Sequence, residues 1–287
     1  MIPLGVQLPL PYAPDPDRLI DVVAFAREAE RLGFESIWFS EHVVAPFEVT
    51  KSVSAFFVGG QVPGFADPLV QMGQAAAVTE RVKLGTGVLI VPEHQPIRLA
   101  KALATIDRGS NGRLILGAGT GWLEEESEIM GVDFAHRWTQ TREALDALKL
   151  LWTGEPVSYD GTYYSFPTVR SVPRPAQRPH PPIYLGGVAA KVLERVVRHG
   201  DGWNPEKIQP DELRTRKAEL HHLAREAGRD PATLPVTVMG KAPDPDLVHA
   251  YFEAGADRVV VMSGFAEDTG DVIATLRRIA DTFELSA

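Results

Sequence analysis

Ile2-Pro3-Leu4-Gly5-Val6-Gln7-Leu8-Pro9 is the stretch on which the fold turns. It is a short apolar run closed by Pro9 and Pro11, the pattern of a first β-strand. An open, doubly wound sheet that binds a dinucleotide would carry its G-x-G-x-x-G turn directly after that strand, and Gln7-Leu8-Pro9 stands there instead. Downstream, strand-like runs at residues 36–40, 82–90, 113–117, 182–185, 201–203, 235–239 and 258–262 follow one another. Helical patterns at 17–32, 68–78, 96–107, 139–152, 189–199, 211–227, 246–254 and 271–285 separate them. Strict alternation of eight strands with eight helices predicts a parallel sheet, and closure into a single (β/α)8 TIM barrel over residues 1–287 leaves no exposed edge.

The composition agrees. Of 287 residues, 44% are hydrophobic and 23% charged, which excludes a mainly disordered chain. The net charge of −9 argues against a whole-chain affinity for nucleic acid or anionic membrane. Cysteine is absent, so disulfides, thiolate catalysis and cysteine-ligated metals are excluded. No apolar run approaches the ~18 residues of a membrane span, and Met1-Ile2-Pro3-Leu4-Gly5 lacks a charged signal-peptide start. These features predict a soluble, cytoplasmic protein with no membrane partner.

Two long segments interrupt the rhythm. One lies after strand 2, at residues 43–66, with Gly59-Gly60 and Pro63-Gly64. The other lies between the fourth barrel helix and strand 5, at residues 153–181, and is proline-dense towards its end. Both are expected near the C-terminal mouth of the barrel, as a lid and a substrate wall.

Chemistry-bearing residues cluster just after the strands. Ser40-Glu41-His42 sets a carboxylate beside an imidazole, able to hold a proton near neutral pH or to cap and plug the mouth. In Leu84-Gly85-Thr86-Gly87-Val88, two glycines weaken a strand and mark a bulge or a close backbone approach. Gly117-Ala118-Gly119-Thr120-Gly121-Trp122 is a glycine-rich loop that forms a tight turn or faces a flat ring. Leu185-Gly186-Gly187-Val188-Ala189 joins strand to helix, where the glycines serve a simple turn or free N–H groups favour phosphate. Trp203 adds an aromatic at a sixth rim position, as a core residue or as a cofactor contact. His136, His180, His199, His221, His222 and His249 show no metal-ligand spacing, and G-x-S-x-G is absent.

In this order and spacing the segments resemble the bacterial luciferase-like monooxygenase superfamily, most closely its coenzyme F420-dependent oxidoreductase branch. The likeness is densest over Leu-Gly-Thr-Gly-Val-Leu at 84–89, Ala-Lys-Ala-Leu-Ala-Thr-Ile-Asp at 100–107, Gly-Arg-Leu-Ile-Leu-Gly-Ala-Gly-Thr-Gly-Trp at 112–122 and Leu-Trp-Thr-Gly-Glu-Pro-Val-Ser-Tyr-Asp-Gly-Thr-Tyr-Tyr at 151–164. It resumes with Arg-Pro-His-Pro-Pro-Ile-Tyr-Leu-Gly-Gly at 178–187 and Gly-Asp-Gly-Trp at 200–203.

The resemblance implies a cofactor ring at the barrel mouth, with His42 near its reacting face as general acid/base. Glu41 would orient His42 or touch the polar edge of the ring. It also implies a non-prolyl cis peptide at Gly87–Val88 behind the ring. Cofactor contacts are expected from Gln7, Ser40, Glu41, His42, Thr86, Gly87, Val88, Gly119, Thr120, Gly121 and Trp203, with the anionic tail at Gly186, Gly187, Val188 and Ala189. Arg170, Arg174 and Arg178 are candidates for a basic groove along that tail.

One departure bears on substrate. Sugar-phosphate dehydrogenase members place a glutamate where this chain has Trp122, and a tryptophan where it has Pro46 and Phe47. Glu124, Glu125 and Glu126 read as a solvated acidic helix start rather than as a replacement. The expected activity is hydride transfer between coenzyme F420 and a small, apolar organic substrate. The alternatives are an FMN-dependent monooxygenase served by a flavin reductase, and a non-catalytic cofactor binder. A homodimer is expected, with apolar surface at 70–78 or 99–104 as its interface.

Overall fold

The computed structural model of the chain describes residues 2–10, 19–52, 64–264 and 269–286. Its strands are β1 (Leu4–Gln7), β2 (Ser36–Phe39), β3 (Lys83–Thr86), β4 (Leu89–Ile90), β5 (Leu114–Gly119), β6 (Pro156–Asp160), β7 (Ser165–Arg170), β8 (Ile183–Gly186), β9 (Gly202–Asn204), β10 (Thr237–Lys241) and β11 (Arg258–Met262). The main sheet runs β10-β11-β1-β2-β3-β5-β8-β9, all parallel, with β4 continuing β3 against β5. β9 and β10 are joined by the parallel bridge Trp203–Val236 and by N–H donation from Trp203 to Pro235 (2.9 Å) and Met239 to Pro205 (2.8 Å). The ends of the sheet therefore meet, and the expected eight-stranded barrel is the architecture. Even the very short run expected at 201–203 is present, as β9.

The helices are α1 (Val22–Arg31), α2 (Pro68–Val78), α3 (Pro96–Gly109), α4 (Glu124–Ile129), α5 (Arg137–Trp152), α6 (Val192–His199), α7 (Pro210–Glu226), α8 (Pro245–Glu253) and α9 (Thr269–Thr282). Three begin on a cap-proline pair. Asp67 accepts from the Leu69 and Val70 N–H groups before Pro68, Gln95 from Arg98 before Pro96, and Asp244 from Leu247 before Pro245. The cap satisfies orphan donors, and proline at the first turn loses no helical bond.

Inside the barrel, Trp38, Ile115, Tyr184, Met239 and Val260 form a buried layer drawn from five strands. Two large rings fit because glycine faces them. A Cβ at Gly85 would lie 2.6 Å from Trp38, and one at Gly202 would lie 2.6 Å from Tyr184. Beneath this layer Arg258 binds Glu35 through Nε (2.5 Å) and Nη2 (2.7 Å), and reaches Thr237 Oγ1 at 2.9 Å. Burial alone would raise the Glu35 carboxyl, but Arg258 and then Lys83 pull it down to about 2.

The segment between α5 and β8 contains the antiparallel hairpin β6–β7. Its turn folds back along α5, where the Glu143 carboxylate accepts from the Thr162 (3.2 Å) and Tyr163 (2.8 Å) N–H groups. The rest of the segment lies at the opposite barrel end from the strand C-termini. Arg170 Nε donates to Gly154 O (2.8 Å), Arg108 at the end of α3 donates to Arg174 O (3.1 Å), and Arg178 donates to Pro175 O (2.6 Å). Arg170, Arg174 and Arg178 thus tie helix-to-strand connections together, and the expectation that they line a cofactor groove is corrected. In the first long segment, Gly59, Gly60 and Pro63 lie outside the described residues, as do Pro11 and Asp17.

Candidate active site

At the C-terminal mouth the inward positions carry small or polar groups. Gln7 Nε2 donates to Ser40 Oγ (2.6 Å), and Ser40 Oγ donates to the Gly87 carbonyl (3.3 Å). The peptide between Gly87 and Val88 is cis, as the resemblance implied. The Val88 side chain crosses to the neighbouring strands. A Cβ at Gly119 would collide with Val88 Cγ2, and one at Gly186 would lie 2.8 Å from Val88 Cγ1. Val88 therefore forms an apolar shelf bounded by backbone, because β5 and β8 present no side chains there. A planar heterocycle can lie on such a surface, and a side chain at Gly119 or Gly186 would push Val88 out of place. Thr86 takes no direct part in that surface: it is fully buried and donates to the Gly117 carbonyl (2.8 Å).

Next to the shelf lies the loop from Gly186 to α6. Trp203 Nε1 donates to Gly187 O (2.9 Å), while Arg216 donates to Val188 O (3.1 Å) and Ala189 O (3.4 Å). Gly187 has φ +93°, with open space where a Cβ would stand. With three successive carbonyls engaged from behind and the Gly187 N–H given to Asn204 O (3.3 Å), the N–H groups of Val188 and Ala189 are what the loop offers a ligand. That chemistry suits the anionic tail of a nucleotide-like cofactor. Trp203 is fully buried and supports the loop; the Arg216 guanidinium stands 5.6 Å from its ring centroid.

His42 lies just beyond β2. Its Nδ1 is 2.5 Å from Glu126 Oε2, and the other oxygen of that carboxylate accepts from the N–H groups of Val43 (2.6 Å) and Val44 (3.2 Å). Glu126 is fully buried, so the expected solvated helix start is corrected for this residue. The reason is packing. α4 lies over the segment after β2, and Glu125 likewise accepts from the backbone of Thr50 (2.7 Å) and Lys51 (2.6 Å). Phe65 and Trp122 stand edge-on to the His42 ring, with centroids at 4.8 and 5.5 Å. Thr120 and Gly121 continue from Gly119 into this wall, and Gly121 takes φ +80° where a Cβ would meet Ser127 at 3.0 Å.

Glu41 does not hold His42. It is 6% exposed, accepts from the Ile90 N–H (2.5 Å) and pairs with His94 Nε2 (2.8 Å). The orienting role expected of Glu41 falls to Glu126. Burial opposes charge on His94, but the bond to Glu41 and its charge outweigh this and raise the imidazole above its usual value. Glu93 lies near both pairs. Burial first, then the charges of Glu126 and Glu41, push its carboxyl up to about 8 against a lowering bond from Ser127.

Sequence reasoning missed Glu126, Glu93, His94 and Arg216. For Arg216 no local signal existed, since it lies mid-helix in α7. For Glu93 and His94 a signal did exist, because they follow the third strand at the same barrel end as His42.

Among known proteins, the family model described as luciferase-like monooxygenase matches residues 3–243. An uncharacterised protein of Mycobacterium tuberculosis is 35% identical over 252 residues, 85% of this chain and 87% of its own length. An F420-dependent glucose-6-phosphate dehydrogenase of Amycolatopsis mediterranei is 33% identical over 64% of this chain and 52% of its own. A flavin-dependent trigonelline monooxygenase oxygenase component of Acinetobacter baylyi is 31% identical over 63% and 46%. Among solved structures, the monooxygenase RslO1 of Streptomyces bottropensis superposes with TM-score 0.80 at 21% identity, over 98% of both chains. An F420-dependent secondary alcohol dehydrogenase superposes with TM-score 0.76 at 19% identity, over 97% of this chain and 98% of that one.

Proposed function

The chain belongs to the luciferase-like monooxygenase family, and from that membership we propose that it is a coenzyme F420-dependent oxidoreductase acting on a small, apolar alcohol or carbonyl compound. The bound deazaflavin would supply the hydride acceptor and donor. The observation that carries the reading is the carboxylate-backed imidazole of His42, placed at the same barrel mouth as the Val88 shelf. Exchange of a hydride with an alcohol–carbonyl couple also moves one proton at the substrate oxygen. With Nδ1 held by Glu126, that exchange is assigned to Nε2 of His42.

The remaining groups bind and orient. Val88 supports the ring, and Gln7 and Ser40 present polar groups beside it. The Gly186–Ala189 loop, braced by Arg216, receives the anionic tail. Trp122 and Phe65 wall the space around His42 with aromatic edges, which favours an apolar substrate over a sugar phosphate. The reading includes a homodimer, which light scattering tests.

The flavin-dependent relative supports a second reading, an FMN monooxygenase fed by a reductase. Fluorescence titration separates the two. Saturable quenching of F420 with little or no FMN binding is the expected result. Tight FMN binding without F420 binding would reverse the assignment.

A further inference from the structure

Val88 can back a ring only if the chain on both sides of it is fixed. Upstream, β3 is held in the sheet, and the Gly87 N–H donates to Phe39 O (2.7 Å) at the end of β2. Downstream, β4 pairs with β5, Leu89 beside Ala118 and Ile90 beside Gly119. On its other side β2 has already ended at Phe39. There the Glu41 side chain takes the place of the missing strand, and its Oε2 accepts from the Ile90 N–H (2.5 Å). Its Oε1 pairs with His94 Nε2 (2.8 Å), just beyond the 3-10 turn Val91–Glu93. One carboxylate thus clasps residues 90 and 94, the two ends of that turn, to the end of β2. Ile90 in turn lies against the glycine loop, since a Cβ at Gly121 would meet its Cγ2 at 3.1 Å. A carboxylate this buried needs a counter-charge. Burial opposes charge on His94, while the bond to Glu41, the Glu41 charge and then that of Asp67 favour it. The Glu93 carboxyl faces Glu41 from the turn itself.

We propose that Glu41 and His94 are the positioning pair of the cofactor platform, with the Glu41 carboxylate extending β2 by one rung so that Ile90, and through it Val88, is fixed behind the ring. The proposal deepens the reading above and rests on it in taking Val88 as the surface behind the ring. Both residues act through the backbone, so neither moves a proton to substrate, and the role is the same for a deazaflavin and for a flavin. His94 supplies the charge that keeps the buried Glu41 ionised. Without it, Glu41 faces the Glu93 carboxyl uncompensated. It then takes up a proton or turns towards water, and the Ile90 N–H loses its charged acceptor. The His94 side chain is 21% exposed, so a longer cation has a way out to solvent at that position.

The test compares Glu41→Ala, His94→Gln and His94→Arg with the parent by two measurements. Amide hydrogen exchange at Ile90 is followed on the cofactor-free chain. It is expected to be faster in Glu41→Ala and in His94→Gln, and to return towards the parent rate in His94→Arg, which restores the charge. F420 and FMN are then each titrated by fluorescence. Whichever ring the parent binds, its affinity is expected to fall by about 10-fold in Glu41→Ala, the scale of one lost hydrogen bond to a charged group. The loss is expected to be smaller in His94→Gln and to be recovered in His94→Arg. A histidine that merely packed would show no such rescue by charge. If Glu41→Ala does not fold, the two His94 variants decide the matter. Unaltered Ile90 exchange in the uncharged variants, parent-level affinity in a chain whose Ile90 exchanges fast, or no recovery in His94→Arg would overturn the proposal. Failure of the parent to bind either cofactor would instead overturn the functional reading, and the platform role with it.

Discussion

Glu126 Oε2 lies 2.5 Å from His42 Nδ1 across 84 positions of sequence, and Oε1 of the same carboxylate holds the Val43 and Val44 N–H groups. One buried side chain therefore sets both the orientation of the imidazole and the path of the backbone leaving β2. Glu126→Gln keeps the volume and one acceptor but removes the charge that supports an imidazolium. Turnover should fall roughly 10²-fold or more, while F420 affinity measured by fluorescence stays near normal. Equal losses in affinity and turnover would point to a purely structural residue.

Arg216 braces the loop that receives the cofactor tail, through the carbonyls of Val188 and Ala189. Arg216→Met should weaken F420 binding by about 10-fold, roughly 1.4 kcal/mol. A deazaflavin lacking the phosphate tail should bind the variant as well as it binds the parent. Parallel titrations of the two ligands check this.

At the far end of the barrel, Glu35 is held at about 2 by Arg258 and Lys83 against the opposing effect of burial. A carboxyl depressed on folding adds stability above its unfolded value of 4.5, and this stability is lost as pH falls from there towards 2. Glu35→Gln leaves Arg258 buried without its counter-charge, so at neutral pH it should cost roughly 3 kcal/mol. Urea midpoints at neutral and acid pH check the sign: the gap between parent and variant should narrow as the pH drops.

Gly117 on β5 has no room for a side chain, since a Cβ there would collide with the Thr86 carbonyl oxygen and lie 3.0 Å from Asn204 Nδ2. Gly117→Ala should destabilise by about 3 kcal/mol, because the obstacle is backbone and cannot swing aside. Gly73, within α2, has nothing within 4 Å of its missing Cβ. Gly73→Ala should stabilise by roughly 0.5–1 kcal/mol. Thermal melts of the two variants should move in opposite directions.

The barrel was legible because each strand is a compact apolar run with a helical pattern after it, and because position after a strand says which end of a barrel a residue occupies. The same rule put Ser40, His42, Val88 and the Gly186–Ala189 loop at the mouth. It also held the signal that was missed for Arg170, Arg174 and Arg178, since they lie between a helix and the next strand and so at the other end. Glu126 was opaque for a different reason. α4 has six residues, too few for a periodic pattern, and Glu124, Glu125, Glu126 and Glu128 look alike in sequence. Only the packing of α4 over the segment after β2 separates the fully buried Glu126 from the exposed Glu128. The hairpin β6–β7 falls inside the long segment at 153–181, for which no strands were expected, although Asp160-Gly161 between alternating residues is a turn signal.

The central claim joins a deazaflavin at the mouth to a proton carried by His42. Its most direct test follows F420 absorbance under strict exclusion of oxygen, across a panel of small alcohols and of carbonyl compounds with reduced F420, for the parent and His42→Ala side by side. The account predicts substrate-dependent turnover by the parent without oxygen, and a loss of ~10²–10⁴-fold in His42→Ala at near-normal F420 affinity. Turnover that requires oxygen and reduced FMN, or that survives undiminished in His42→Ala, would contradict it.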